Sequence, residues 1–238
     1  KGNYRFNPAT RPSKTTRTIL QERIRNKVNE QVDRHGGIDY NYLYEEKLNL
    51  PLDSKIMIFV GRYNKGQGLH LVLDIYRRLK SEMKDVELII IGKRDKEEPL
   101  YETVMNSGAI TTDQIKNEEV LKYLNASDVS ICPIDSNDSS IPFFVSFGDI
   151  GVWQIESASV NTPNISPLLI HFCGTDDERR KIGITVKNTR DCYNATKLIL
   201  SKGIEFPESR DIIKKYYSWE RILRKNVGIY KKLEKKYY

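Results

Sequence analysis

The stretch from Lys55 to Leu79 constrains the fold of this chain more than any other. Ile56 to Val60 is an unbroken apolar run, the pattern of a strand buried on both faces. Gly61, Gly66 and Gly68 follow, and then Leu69, Leu71, Val72, Leu73, Ile75, Tyr76 and Leu79 recur at helical spacing. A strand, a glycine-rich loop and a helix form the phosphate-cradling unit of α/β proteins. Glycines let backbone N–H groups approach an anion, and the helix N-terminus adds partial positive charge. Arg62 and Lys65 lie in the same loop. An ordinary tight turn between strand and helix shares this glycine pattern, so the loop needs the rest of the chain to give it meaning.

The rest of the chain repeats the alternation. Strands are expected at 55–61, 86–92 and 129–134, with a short one at Ala109–Thr111. Helices are expected at 68–82, near 97–107, around Val120–Leu124, and near 149–160, 190–202 and 208–217. Short apolar pieces fall at 168–173 and 183–187. This order predicts a single Rossmann-like, doubly wound α/β domain over 36–217, its parallel sheet covered by helices on both faces. Ligands of such sheets bind beyond the carboxyl ends of the strands, where the loops after Val60, Ile91 and Ile134 gather.

Helical arms are expected at both ends. Residues 1–35 read as a polar, basic arm followed by a helix with Ile19, Leu20, Ile24, Val28 and Val32 along one face, stopped by Gly36-Gly37. Residues 218–238 read as a basic amphipathic helix with Trp219, Ile222, Leu223, Tyr230 and Leu233 on one side. Packing of that side on the body is the default expectation.

Charge follows this division. The chain is +7 overall. Residues 1–34 carry nine Lys/Arg against three Asp/Glu, and residues 214–238 carry nine against two, so the body between them is net acidic by six charges. Solvated faces are the first reading of the basic ends, an anionic membrane surface the second and nucleic acid the last. No zinc-finger spacing or aromatic RNA-binding signature accompanies the charge. No run approaches the roughly 20 apolar residues of a membrane helix. Cys132, Cys173 and Cys192 match no metal or redox motif, which fits free thiols in a reducing, cytoplasmic setting. With only His35, His70 and His171 scattered along the chain, no metal is expected.

Several segments carry a family pattern in order: Gly37-Ile-Asp39, Phe59-Val-Gly-Arg62, Ile89-Ile-Ile-Gly92, Ala126-Ser-Asp-Val-Ser-Ile-Cys-Pro133, Glu156-Ser-Ala-Ser-Val-Asn-Thr-Pro163, Gly183-Ile-Thr-Val186 and Tyr217-Ser-Trp219. Together they resemble the donor-binding lobe of the group 1 glycosyltransferases, enzymes of the two-lobed GT-B architecture. The resemblance runs from about Gly36 to Leu233. It implies transfer of a sugar from a nucleotide-diphosphate sugar with retention of configuration and without a metal. Arg62 falls on the family's diphosphate-stabilising Arg. Glu156 falls on the second Glu of the E-x7-E motif, the ribose ligand. Gly61, Gly66 and Gly68 form the loop, and Gly108 is expected to open the segment flanking the base.

Two positions depart from that pattern. Gln67 stands where the family has a phosphate-binding Lys; it keeps a hydrogen bond for the diphosphate but loses the charge, and Lys65 two residues earlier is the other candidate to stabilise the leaving group. Gly148 stands where the family has the first Glu of the motif, leaving only a backbone N–H for the sugar. These departures motivate an alternative, a non-catalytic partner or a nucleotide-binding module that keeps the fold and has lost the chemistry. Only about 35 residues precede the donor-like lobe, fewer than an acceptor lobe needs. The basic arm is therefore read as the tail of a missing lobe, or a second chain supplies one.

Overall fold

A computed structural model of the chain describes residues 54–133, 152–172 and 174–218, together with 221, 223–224 and 226–231. The expected arm over 1–35 lies outside them, as do the 37–39 segment, Gly148, Cys173 and Trp219.

Six parallel strands form one sheet in the order β3-β2-β1-β4-β5-β6. They are β1 (Lys55–Val60), β2 (Val86–Ile91), β3 (Ile110–Thr112), β4 (Val129–Ile131), β5 (Asn164–Ile165) and β6 (Gly183–Ile184). The helices between them are α1 (Leu69–Glu82), α2 (Tyr101–Met105), α3 (Asn117–Ala126), α4 (Val152–Ser159), α5 (Asp176–Arg180) and α6 (Thr189–Lys202), and α7 (Ser209–Tyr217) follows. The fold is the expected doubly wound α/β sheet.

The period-2 alternation of strand side chains sorts the core by face. Met57, Phe59, Leu88 and Ile90 point to one side, where they pack with α1 and α6. Ile56, Ile58, Ile89 and Ile91 point to the other, against Val120, Tyr123 and Leu124 of α3. A third cluster joins Ala158 of α4, Leu169, Phe172 and Ile182 to Ile212 and Ile213 of α7. Central strands coated on both faces must be apolar at every position, which is why Ile56–Val60 and Leu88–Ile91 read as continuous runs.

The chain leaves β1 in one direction, to β2 and β3, and then crosses back to place β4 on the other side of β1. The carboxyl ends of β1 and β4 therefore flank the switch point, where connections diverge and open a crevice. Asp128 fixes the start of this pairing. Its carboxylate accepts the Ile56 N–H at 2.7 Å, while its own N–H donates to the Ile56 carbonyl at 2.8 Å.

One expectation is corrected, and two segments gain detail. The helix foreseen near 97–107 is only Tyr101–Met105, because Pro99 and the turns around it occupy the connection first. The apolar piece at 168–173 falls largely on a 3-10 helix. Pro167 and a Ser166 cap start a 3-10 helix over Pro167–His171, and the strand is the preceding pair Asn164–Ile165. In the C-terminal segment the described backbone is helical at 223–224 and 226–231. Leu223, Val227, Ile229 and Tyr230 are 57%, 49%, 48% and 70% exposed, while Trp219, Ile222 and Leu233 of the expected apolar face lie outside the described residues.

The last strongly held element is α7, and Glu178 secures it. Thr175 and Glu178 form a capping box at the start of α5. The same carboxylate accepts from Lys215 Nζ at 2.7 Å and from the Tyr216 hydroxyl at 2.8 Å. Lys215 first, then the Thr175 N–H and Tyr216, hold its pKa down at about 2 from an ordinary 4.5. A depressed carboxylate stabilises the fold above its unfolded pKa and loses that contribution as pH falls through the folded one. In thermal melts, the wild-type chain should therefore lose stability more steeply than Glu178→Gln between pH about 4.5 and about 2, and parallel curves would refute the latch.

Candidate functional site

The loop after β1 starts from a close backbone approach. The Gly61 N–H donates to the Ile91 carbonyl at 2.9 Å, extending the β1–β2 ladder by one residue. Beside it, a β-carbon on Gly92 would collide with the Gly61 carbonyl oxygen. Gly92 is thus glycine because the backbone of the neighbouring strand end occupies its side-chain volume.

Beyond Gly61 the loop closes on itself. The Asn64 N–H bonds the Arg62 carbonyl at 2.9 Å, and the Asn64 side chain accepts the Gln67 N–H at 3.1 Å. The Gly68 N–H reaches the Lys65 carbonyl at 2.7 Å. Gly68 itself has φ 75°, a left-handed conformation that costs a residue with a β-carbon about 1 kcal/mol or more. It is the entry to α1, whose first turn contains no acidic residue to offset the helix dipole.

Gln67 closes the mouth of the loop. Its Oε1 accepts the Arg62 N–H at 2.6 Å and lies where a β-carbon of Gly61 would stand. Its carbonyl accepts the Cys132 thiol at 3.3 Å, joining the loop to the end of β4 across the switch point. The side chains of Arg62 and Lys65 are exposed and form no ion pair among the described residues.

A second polar group sits at the same edge of the sheet. Asn117 opens α3 after the carboxyl end of β3, and its Nδ2 donates to Glu156 Oε1 of α4 at 2.7 Å. Glu156 is half-buried. Loss of solvent raises its pKa above the ordinary carboxylate value, and the Asn117 bond pulls partly the other way. Between these groups, Arg94 ties the loop after β2 to the end of β3. Its N–H bonds Asp113 Oδ1 at 3.2 Å, and its guanidinium reaches the carbonyl and hydroxyl of Thr111.

The structure thus gathers Gly61, Arg62, Lys65, Gly66, Gln67 and Gly68 into one loop and sets Glu156 on the helix that follows β4. Gly108 is not with them. It precedes β3 and so lies at the amino edge of the sheet, where its φ of 75° serves the turn after α2. The segment that leaves β3 at the carboxyl edge is Asp113–Lys116. Gly148 falls outside the described residues. Asn117, Cys132 and Gly92 were not singled out from the sequence for these roles. Only a glycine in register with a strand end hints at the Gly92 contact.

A half-open pocket lies elsewhere. A cavity of about 180 Å³ between α1 and α6 is lined by Ile75, Arg78, Thr189 and Tyr193 among others. There the Arg78 guanidinium stacks 3.9 Å from the Tyr193 ring centroid. It is a packing seam between two helices, remote in the topology from the switch point. Among the described residues no group of His, Cys, Asp and Glu is arranged to hold a metal ion, and no helix is long and apolar enough to cross a membrane.

The Gly61–Gly92 contact predicts a specific sensitivity. Gly92→Ala should cost about 2 kcal/mol, within the usual range for forcing a carbon into a filled site, because the obstacle is backbone and cannot rotate away. Urea unfolding measures this, and a loss below about 0.5 kcal/mol would contradict the close approach.

Comparison with known proteins agrees with this geometry. The family model described as glycosyl transferases group 1 matches residues 43–166, more than half of the chain. A Bacillus subtilis protein named for a glycosyltransferase of teichuronic acid biosynthesis is 27% identical over 88 residues, which are 37% of this chain and 21% of that protein. The sucrose-phosphate synthase of Thermosynechococcus elongatus superposes with a TM-score of 0.59 at 18% identity, over 83% of this chain and 51% of that one. A variant of S. aureus TarM, solved with fondaparinux, alpha-GlcNAc-glycerol and UDP, gives 0.53 at 13% identity, over 75% of this chain and 36% of that one. The chain therefore spans about half or less of the length of these relatives, and the structural likenesses speak for the fold. With the family model covering most of the sheet and its central loop, the chain belongs to the group 1 glycosyltransferases.

Proposed function

We propose that this chain supplies the donor site for transfer of a sugar from a nucleotide-diphosphate sugar, with retention at the anomeric carbon. The observation that carries the reading is the two exposed cations, Arg62 and Lys65, which form no ion pair among the described residues, on a glycine-rich loop at the switch point. Breaking the bond between the anomeric carbon and the diphosphate oxygen leaves the electron pair, and a growing negative charge, on the diphosphate. Cations fixed beside that oxygen stabilise the charge more in the transition state than in the ground state. The acceptor hydroxyl forms the new bond to the anomeric carbon and passes its proton to the departing diphosphate oxygen.

Glu156 is the proposed ribose ligand. Its raised pKa makes the carboxylate, the form that accepts two hydroxyl bonds, dependent on Asn117 and on pH. Backbone and side chains of Asp113–Lys116 are the proposed flank of the base, and Gly148 offers a backbone N–H to the sugar. The acceptor is proposed to bind on a second lobe, in the same protein or in a partner chain. The exposed apolar side chains at 223, 227, 229 and 230, among Arg221, Arg224 and Lys231, suit the surface of an anionic bilayer. Vesicles containing phosphatidylserine should bind the chain at low salt and release it as salt rises. Binding to neutral vesicles as strong as to anionic ones would refute that placement.

The alternative, a partner that keeps the fold without the chemistry, draws on one observation: Gln67 replaces a cation and is turned onto the loop. Calorimetric titration with UDP, the nucleotide in the TarM structure, and with GDP decides between them. Arg62→Ala should weaken binding of the preferred nucleotide by about tenfold or more, the loss expected for one charge-assisted contact. Equal binding by wild type and Arg62→Ala would remove Arg62 from the site, and no binding by either would favour the partner reading.

A further inference from the structure

Gln67 occupies an unusual place for a residue in an anion-receiving loop. Three of its groups are committed at once: Oε1 to the Arg62 N–H at 2.6 Å, its N–H to Asn64 Oδ1 at 3.1 Å, and its carbonyl to the Cys132 thiol at 3.3 Å. The amide oxygen lies over Gly61, the residue whose missing side chain leaves the loop mouth open. An oxygen carrying partial negative charge, 2.6 Å from the Arg62 N–H at the carboxyl edge of the sheet, offers that donor the same kind of acceptor a phosphate oxygen would. The side chain is intermediate in exposure and its neighbours Arg62 and Lys65 are exposed, so the amide can swing outward without disturbing the core.

We infer that Gln67 is a built-in occupant of the diphosphate loop: its amide oxygen holds the Arg62 N–H in the ligand-free chain, and a phosphate-bearing ligand must displace it. The inference rests on the donor-site reading above and assigns that site its regulation. A lysine at this position could not fill the role, because an ammonium has donors only and cannot accept an N–H. The substitution at 67 therefore does more than remove a charge. It exchanges a group that attracts the diphosphate for one that imitates it. The ligand must displace a hydrogen bond already made, which lowers the apparent affinity by the fraction of loops closed. The bond from the Cys132 thiol to the Gln67 carbonyl holds the backbone of the residue in place while its side chain moves.

The test compares the wild-type 238-residue chain with Gln67→Ala and Gln67→Glu, using UDP and GDP as probes. Gln67→Ala removes the competing oxygen and should bind the preferred nucleotide several-fold more tightly than wild type. Gln67→Glu keeps an acceptor of the same length and adds charge, and should bind it at least tenfold more weakly. Amide hydrogen exchange resolved at Arg62 gives a second readout without ligand. Protection should fall in Gln67→Ala and be kept in Gln67→Glu. Wild-type binding with no gain, or a loss, in Gln67→Ala overturns the displacement model alone and leaves the donor site standing. Unchanged Arg62 exchange in Gln67→Ala likewise overturns it. Absence of nucleotide binding in all three proteins overturns both the donor-site reading and the displacement built on it.

Discussion

Everything at the candidate site hangs on the contact between the ends of β1 and β2. Gly61 continues the ladder to Ile91, and Gly92 lies against the Gly61 carbonyl with no room for a side chain. This sets where the chain leaves the sheet and which N–H groups face the crevice. Because β1 is the central strand, buried on both faces, the start of the loop inherits the rigidity of the core rather than the freedom of a surface turn. A site built this way can carry two like-charged side chains on one loop without an ion-pair partner among the described residues. The stability of the strand, not the pairing of the charges, keeps them there.

The same logic separates support from chemistry along the family pattern. Asp128 lies within one of its signatures, yet its carboxylate serves the β1–β4 register through the Ile56 N–H. Cys132, at the other end of that strand, meets the glycine loop. One short strand thus carries a register lock at its amino end and a loop contact at its carboxyl end. Arg94 does similar work one strand away, fastening the β2 loop to the end of β3. The arrangement leaves Arg62, Lys65 and Glu156 as the polar groups whose positions are held by others.

Physical causes explain what was legible in the sequence. Strands β1 and β2 were plain because burial on both faces demands unbroken apolar runs. Strands β5 and β6 were not, because two residues per strand leave no period to read, and the longer apolar run beside β5 is diverted by Pro167 into a 3-10 turn. The loop glycines were legible as a group, but Gly108 shows the limit of that signal. A positive φ in a turn and a close approach to an anion call for the same residue. Gln67 was visible as a departure from the family pattern, whereas its fold-back onto Arg62 depends on loop geometry that no spacing encodes. Asn117 was invisible for a related reason. A polar residue opening a helix is common, and only the tertiary packing of α3 on α4 brings it to Glu156. The C-terminal segment was legible as amphipathic, but Leu223, Val227, Ile229 and Tyr230 are exposed, since amphipathicity says that a face needs cover and not what supplies it.

The central claim is that the switch-point crevice, and not the cavity between α1 and α6, receives a nucleoside diphosphate. Backbone chemical-shift mapping during titration with UDP and GDP addresses it most directly. The predicted result is that one nucleotide shifts the amides of Gly61 to Gly68 first, together with Asn117 and Glu156. Shifts confined to Ile75, Arg78 and Tyr193, with the glycine loop silent, would contradict it.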